Sequence, residues 1–344
     1  MSRLTIFDKN GYFIGDIRAA TVRSWTIPAT GIVGECAWDM SLFDSKAALK
    51  YIDFVKYVLV RHPTLPPWIG FIYTPQNWGY QSITVRAYQI DGILKYRTMP
   101  DQTIADTPGE LWREILQTTN AIDGNEKPIR PNYIYGEGSL QELSLSEDAF
   151  TSAVTLAAQS GNDFEVSYDF DSNGRLYLKG NWYESAGQET SYWLREGSNV
   201  ELVSDPLTVQ GDLFNELVGY SDAFTAETRL RFIARNEQAV SRFGLFQGSS
   251  VFNKVDNMTV LQNATVNYLY QTMNGQYAFD PVALNVGDTF KYLRPGNTLN
   301  LDLNRAGFSP SASGFGYNGA VRIISMEYDD LADRVKLNVE AYDA

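Results

Sequence analysis

Cysteine and histidine are nearly missing from this 344-residue chain. The one cysteine, Cys36, excludes a disulfide within the chain. With one histidine, His62, beside it, a Cys/His zinc site is excluded as well, since such sites need several of these ligands. A Ser-His-Asp triad would have to use His62, and no Gly-x-Ser-x-Gly elbow accompanies it. Cys36 lies in Gly34-Glu-Cys-Ala-Trp-Asp-Met-Ser41, a strand-like stretch, and reads as a small buried apolar residue. A nucleophilic role would need a base beside it. His62, in Val60-Arg-His-Pro-Thr-Leu-Pro-Pro67, stands at a turn or strand end and reads as structural or exposed.

Positive charge is scarce too. The 28 lysines and arginines face 41 acidic residues, for a net charge of −13, and no basic run exists. Nucleic-acid binders neutralise phosphates with basic patches, so specific nucleic-acid binding is not expected. An acidic conduit that repels DNA remains compatible with this charge. No stretch approaches the 18 or so uninterrupted apolar residues of a membrane-crossing helix. The start, Met1-Ser-Arg-Leu-Thr-Ile-Phe-Asp8, runs straight into a strand pattern without a secretion signal. Synthesis and assembly in a cytoplasm, without membrane insertion, are the expectation.

What is abundant is aromatic residues, 13% of the chain, led by 21 Tyr and 18 Phe. Rings pack well on pleated, half-buried surfaces, and Tyr also suits interfaces. The first hundred residues read as six or seven strands, opening with the hairpin Leu4–Asp8, Lys9-Asn-Gly11, Tyr12–Ile17. Short connections there suit a compact barrel or sandwich. Residues 98–204 mix helix and strand. Asp106–Gln117 reads as a helix with Pro108 near its start and Leu111, Trp112, Ile115 and Leu116 on one face. Ser146–Ala158 reads as a second helix capped by Ser146, followed by the hairpin Phe164–Tyr168 and Arg175–Lys179. Asp222–Ala234 fits strand or helix equally. Then come a helix over Val266–Met273, the segment Val286–Leu293, a long Gly/Ser/Pro loop, and a final hairpin of Ala320–Tyr328 with Arg334–Tyr342.

Three stretches test for chemistry. Asp169-Phe-Asp-Ser-Asn-Gly174 resembles the front of a calcium loop, but its twelfth position is Gly180 and strands flank it, so a hairpin turn is expected, with Asn173 and Gly174 at positive φ. Gly314-Phe-Gly-Tyr-Asn-Gly319 matches a dinucleotide pattern without the strand before it or the helix after it. Glu35 and Asp39 stand near Trp25 and Trp38, yet strand spacing puts them about 13 Å apart, too far for either glycosidase geometry. No catalytic, cofactor-binding or metal-ligating residue is assigned, and no cofactor is expected.

The order of elements resembles the tail-tip and baseplate hub proteins of tailed phages, the family of the myophage baseplate hub. Three regions carry it. One is the opening hairpin with Trp68-Ile-Gly-Phe-Ile-Tyr73 and Gln81–Tyr88; another is the Glu147–Ala158 helix leading into Asp163–Tyr177; the last is Phe214–Gly219, the helix to Met273, Gly287-Asp288 and the final hairpin. The resemblance implies a mainly β protein with an α+β insert. Two tube-type β-barrels, over 1–97 and 205–344, would flank a mixed middle domain over 98–204. It implies a non-enzymatic homotrimer in the virion tail tip, whose six barrels form a pseudo-sixfold ring lining the DNA channel. Expected partners are a distal tail or tail tube protein, a tape measure protein, and a tail fibre or spike. Competing expectations are a carbohydrate-binding receptor module of a phage tail and a secreted-system hydrolase.

Overall fold

The computed structural model describes residues 2–53, 56–79, 81–122, 128–145, 148–202, 208–210, 214–222, 229–252, 255, 257–273, 276–279, 281–284, 288–303, 317–330 and 332–341. The protein is mainly β with a large mixed sheet. The N-terminal strands are β1 (Arg3–Phe7), β2 (Phe13–Ile17), β3 (Thr21–Pro28), β4 (Glu35–Ser41), β5 (Tyr57–Arg61), β6 (Trp68–Trp78) and β7 (Ser82–Gln89), with a short α1 (Leu49–Ile52) between β4 and β5. They pair in the order β3-β4-β7-β6-β5-β1-β2. The opening hairpin forms as expected, Leu4 opposite Ile17 and Phe7 opposite Phe13. The Asp8 carboxylate closes its turn, accepting the Asn10 and Tyr12 N–H groups at 2.8 Å.

The middle contains β8 (Gln102–Asp106), α2 (Pro108–Asn120), β9 (Ile129–Ile134), β10 (Gln141–Leu145), α3 (Ala149–Ser160), β11 (Asp163–Phe170) and β12 (Leu176–Tyr183). The apolar face read for α2 is real: Leu111, Trp112, Ile115 and Leu116 are all buried, with Trp112 stacked on Trp182 at 5.8 Å. The cap of α3 is Asp148, whose side chain accepts the Thr151 N–H at 2.9 Å. Ser146, expected in that role, lies outside the described residues. Strands β1 and β5 have two buried faces. Val58 and Val60 look into the core shared by the two ends, while Tyr57 and Leu59 pack with the middle region. That explains the uninterrupted apolar run at 57–60.

The C-terminal elements are β13 (Glu189–Arg195), β14 (Val200–Leu202), β15 (Thr208–Gln210), β16 (Glu216–Ser221), β17 (Arg231–Arg235), α4 (Glu237–Phe243), β18 (Gln247–Phe252), α5 (Met258–Met273), β19 (Gln276–Phe279), β20 (Pro281–Leu284), β21 (Thr298–Leu303), β22 (Tyr317–Asp329) and β23 (Arg334–Ala341). The final hairpin, β22 with β23, forms with Tyr328 opposite Val335. Several expectations change here. Strand β21 occupies part of the stretch read as loop and pairs along β22 from Thr298↔Arg322 to Leu303↔Tyr317. Strands β13 and β14, read with the middle region, pair instead with β21 and β20. Strands β17, β16 and β18 form a separate three-stranded sheet against which α5 packs. Of the ambiguous stretch, 223–228 lies outside the described residues and Arg231–Arg235 is a strand.

No closed barrel is detected among the described residues. The two ends share one 15-stranded sheet, joined where β3 pairs β22 in the register Ile27↔Met326, Trp25↔Tyr328. The reason is length. Strand β22 has 13 residues, so its first half pairs β21 and its second half reaches past β21 to β3. One hydrophobic core accordingly runs from Leu4 to Val339.

The middle region is tied to the first hairpin through backbone. The Leu176 N–H donates to the Gly11 carbonyl at 2.9 Å, Gly11 has φ +85, and a Cβ there would meet the Leu176 carbonyl oxygen at 2.0 Å. Gly11→Ala therefore forces both backbone strain and a backbone clash. The expected loss is about 2–4 kcal/mol, read as a lowered thermal unfolding midpoint.

Candidate functional site

The residues tested for chemistry are spread apart and structurally occupied. Cys36 is buried on β4, and burial pushes its thiol well above the ordinary range, so it stays protonated. On the same strand Glu35 pairs with Arg86 at 3.7 Å, and Asp39 holds Arg23 at 2.5 Å and the Thr84 hydroxyl at 2.6 Å. The calcium-like stretch is a hairpin turn. The Asp171 carboxylate accepts the Asn173 and Arg175 N–H groups at 2.9 Å, and Gly174 alone takes positive φ; Asn173 does not. Gly314 and Gly316 of the dinucleotide-like pattern lie outside the described residues. Among the described residues no group of three His, Cys, Asp or Glu side chains is placed to hold a metal.

His62 stands at the seam between the two ends. The Thr64 N–H donates to its Nδ1 at 3.3 Å, which puts the ring proton on Nε2. Nε2 then donates to the Tyr328 hydroxyl at 3.0 Å, and that hydroxyl donates to Asp333 at 2.9 Å. Trp25 packs on Tyr328 with ring centroids 4.4 Å apart. Burial is the main cause lowering the His62 pKa, so the ring is neutral at pH 7. This knot fastens the turn after β5 to the last hairpin.

A cleft of about 740 Å³ opens beside that seam. Its floor is the polar face of the small sheet β11-β12-β9, whose other face packs Phe164, Val166, Leu178 and Trp182 against the helices. Strand alternation makes this division, placing Asp163, Glu165 and Ser167 on one side and Phe164 and Val166 on the other. Across the floor runs an amide ladder. Asn132 donates to the Asn181 carbonyl oxygen at 2.8 Å, and the Asn181 amide donates to Ser167 at 2.9 Å. Tyr133 and Tyr183 stack at 5.3 Å, and the Tyr183 hydroxyl donates to Glu165 at 3.2 Å. The C-terminal region supplies two arginines, Arg322 on Asp163 at 3.4 Å and Arg294 near Glu165 at 3.9 Å, and Lys179 of β12 is paired with Asp169 at 3.2 Å.

At the back of the cleft Asp91, 8% exposed, accepts the Val166 N–H and the Gln89 amide. Burial, with Glu165 adding to it, pushes its pKa up to about 8 against the pull of the Val166 N–H. None of these cleft residues was singled out from sequence. The alternation in Asp163–Phe170 signals the polar face, but the arginines that face it come from 129 and 159 residues further along the chain, and Asp91 from 75 residues before Val166.

No protein-family model matches the sequence, and no curated protein does. Solved structures match in fold. The prophage MuSo2 43 kDa tail protein from Shewanella oneidensis is 12% identical with a TM-score of 0.62, covering 98% of this chain and 98% of that one. The prophage tail protein gp18 from Listeria monocytogenes EGD-e is 11% identical with a TM-score of 0.61, over 99% of this chain and 94% of that one. An E. coli component of the type VI secretion system, itself structurally similar to the T4 bacteriophage tail proteins gp27 and gp5, is 9% identical with a TM-score of 0.50, over 94% and 74%. At the level of fold, the resemblance drawn from the sequence is borne out: the chain has the fold of phage tail proteins.

Proposed function

We propose that this protein is a non-enzymatic structural hub of a phage tail tip, working as a homotrimer. Each chain contributes two β-rich units, the N-terminal strands of residues 1–97 and the C-terminal sheet, with the middle region on one side. Three copies place six units in a pseudo-sixfold ring. The ring adapts the sixfold tail tube or distal tail ring to a threefold fibre or spike, and the tape measure protein and DNA pass through it.

The observation that carries this reading is the β3–β22 seam. It joins N-terminal and C-terminal strands in one sheet within one chain, in a fold shared with phage tail proteins. A single-unit chain could match a sixfold neighbour or a threefold one; a chain with two joined units can match both. The net charge of −13 supports a bore that lets DNA slide. The non-enzymatic role is supported by a protonated Cys36 and by Glu35 and Asp39, both engaged by arginines.

Light scattering and negative-stain electron microscopy of the purified protein test the proposal. The expected result is a mass three times that of one chain and a threefold ring with a central opening. Monomers at high concentration, or trimers that enclose no passage, would overturn it.

A further inference from the structure

We propose that the cleft between the β11-β12-β9 sheet and the C-terminal region is a binding site for a neutral oligosaccharide. Its size falls in the range of about 300–1,000 Å³ typical of small-molecule sites. Its charged side chains are paired, Asp163 with Arg322, Glu165 with Arg294, and Lys179 with Asp169 at 3.2 Å. Neither a phosphate nor a metal cation gains an uncompensated partner there. A wholly apolar ligand is disfavoured as well, because it would cover the exposed Asn132 amide and the half-buried Ser167 hydroxyl at the two ends of the ladder and cut them off from water. The ladder is built into the floor: Asn181 is only 3% exposed.

What remains suited to these walls is a ring with an apolar C–H face and a rim of hydroxyls. Tyr133 offers its ring at 52% exposure, held flat by stacking on Tyr183. Tyr292, 74% exposed, offers a second ring from the C-terminal side of the cleft. Flat, pre-positioned rings lose little freedom on contact, and the neighbouring amide and carboxylate oxygens accept hydroxyl hydrogens. This inference is independent of the trimeric ring and survives its failure.

The test is isothermal titration of the full-length protein with chitotetraose and with maltotetraose, and with inorganic phosphate as the charged control. Saturable binding of at least one tetrasaccharide is expected, with no binding of phosphate. Y133A and Y292A should each weaken it at least tenfold. Both residues are exposed, and unchanged unfolding midpoints will show that the variants fold. Absence of binding by both sugars, phosphate binding tighter than either, or binding unchanged in both variants would each overturn the assignment.

Discussion

Trp25→Ala is expected to cost about 3–5 kcal/mol, the usual range for removing a buried tryptophan. Trp25 is 2% exposed on β3, opposite Tyr328 on β22, and it fills the junction where the two ends become one sheet. Alanine would remove one of the two rings packed on Tyr328, leaving His62, and open a cavity in a core that spans both ends. Against total stabilities of about 5–15 kcal/mol this is a large fraction. Urea unfolding followed by far-ultraviolet circular dichroism measures it. Tyr328→Phe separates the ring from the hydroxyl: it keeps the stack and removes the link between His62 and Asp333, for an expected loss of about 1–2 kcal/mol. Because one core serves both ends, the wild-type sheet should melt in one transition. Two resolved transitions, with Trp25→Ala shifting only the first, would show that the ends unfold independently. The same variant should lower the trimeric fraction, since the ring reading needs both units held at a fixed angle.

Local patterns were the readable part of this fold. The first hairpin, the buried stripe of α2 and the final hairpin each follow from periodicity within a dozen residues. Strand β21 is locally legible. Thr298-Leu-Asn-Leu-Asp-Leu303 alternates cleanly, with Leu299, Leu301 and Leu303 buried, but the surrounding Gly, Ser and Pro residues give the whole stretch the pattern of a loop. The assignment of β13 and β14 was not readable. Glu189–Arg195 has an ordinary strand pattern, and nothing local says that it pairs with a strand about 100 residues later. The seam is the extreme case: Trp25 meets Tyr328 only because β22 outruns β21. The cleft follows the same logic, with its floor legible as polar alternation and Arg294 and Arg322 brought to it by the C-terminal sheet.

Asp91→Asn is expected to flatten the fall in stability above neutral pH. A free aspartate titrates near 4, whereas burial moves Asp91 up to about 8. Between those values the folded chain keeps a proton that the unfolded chain has released. Stability from this group is therefore complete below about pH 4 and is lost as pH rises toward 8, with a slope of up to about 1.4 kcal/mol per pH unit. Above pH 8 the folded protein must hold an ionised carboxylate beside Glu165. The pull of the Val166 N–H is already contained in the pKa of about 8, so the slope over about four pH units sets an upper scale of about 5–6 kcal/mol. Asparagine keeps an oxygen for the Val166 N–H but turns its amide toward the Gln89 amide, a loss independent of pH. Comparison of slopes between pH 6 and 9 removes that constant loss. The wild type should lose stability across this window and the variant should lose distinctly less. Parallel slopes would mean that the two donors hold Asp91 ionised throughout, and that the back wall of the cleft carries a negative charge at neutral pH.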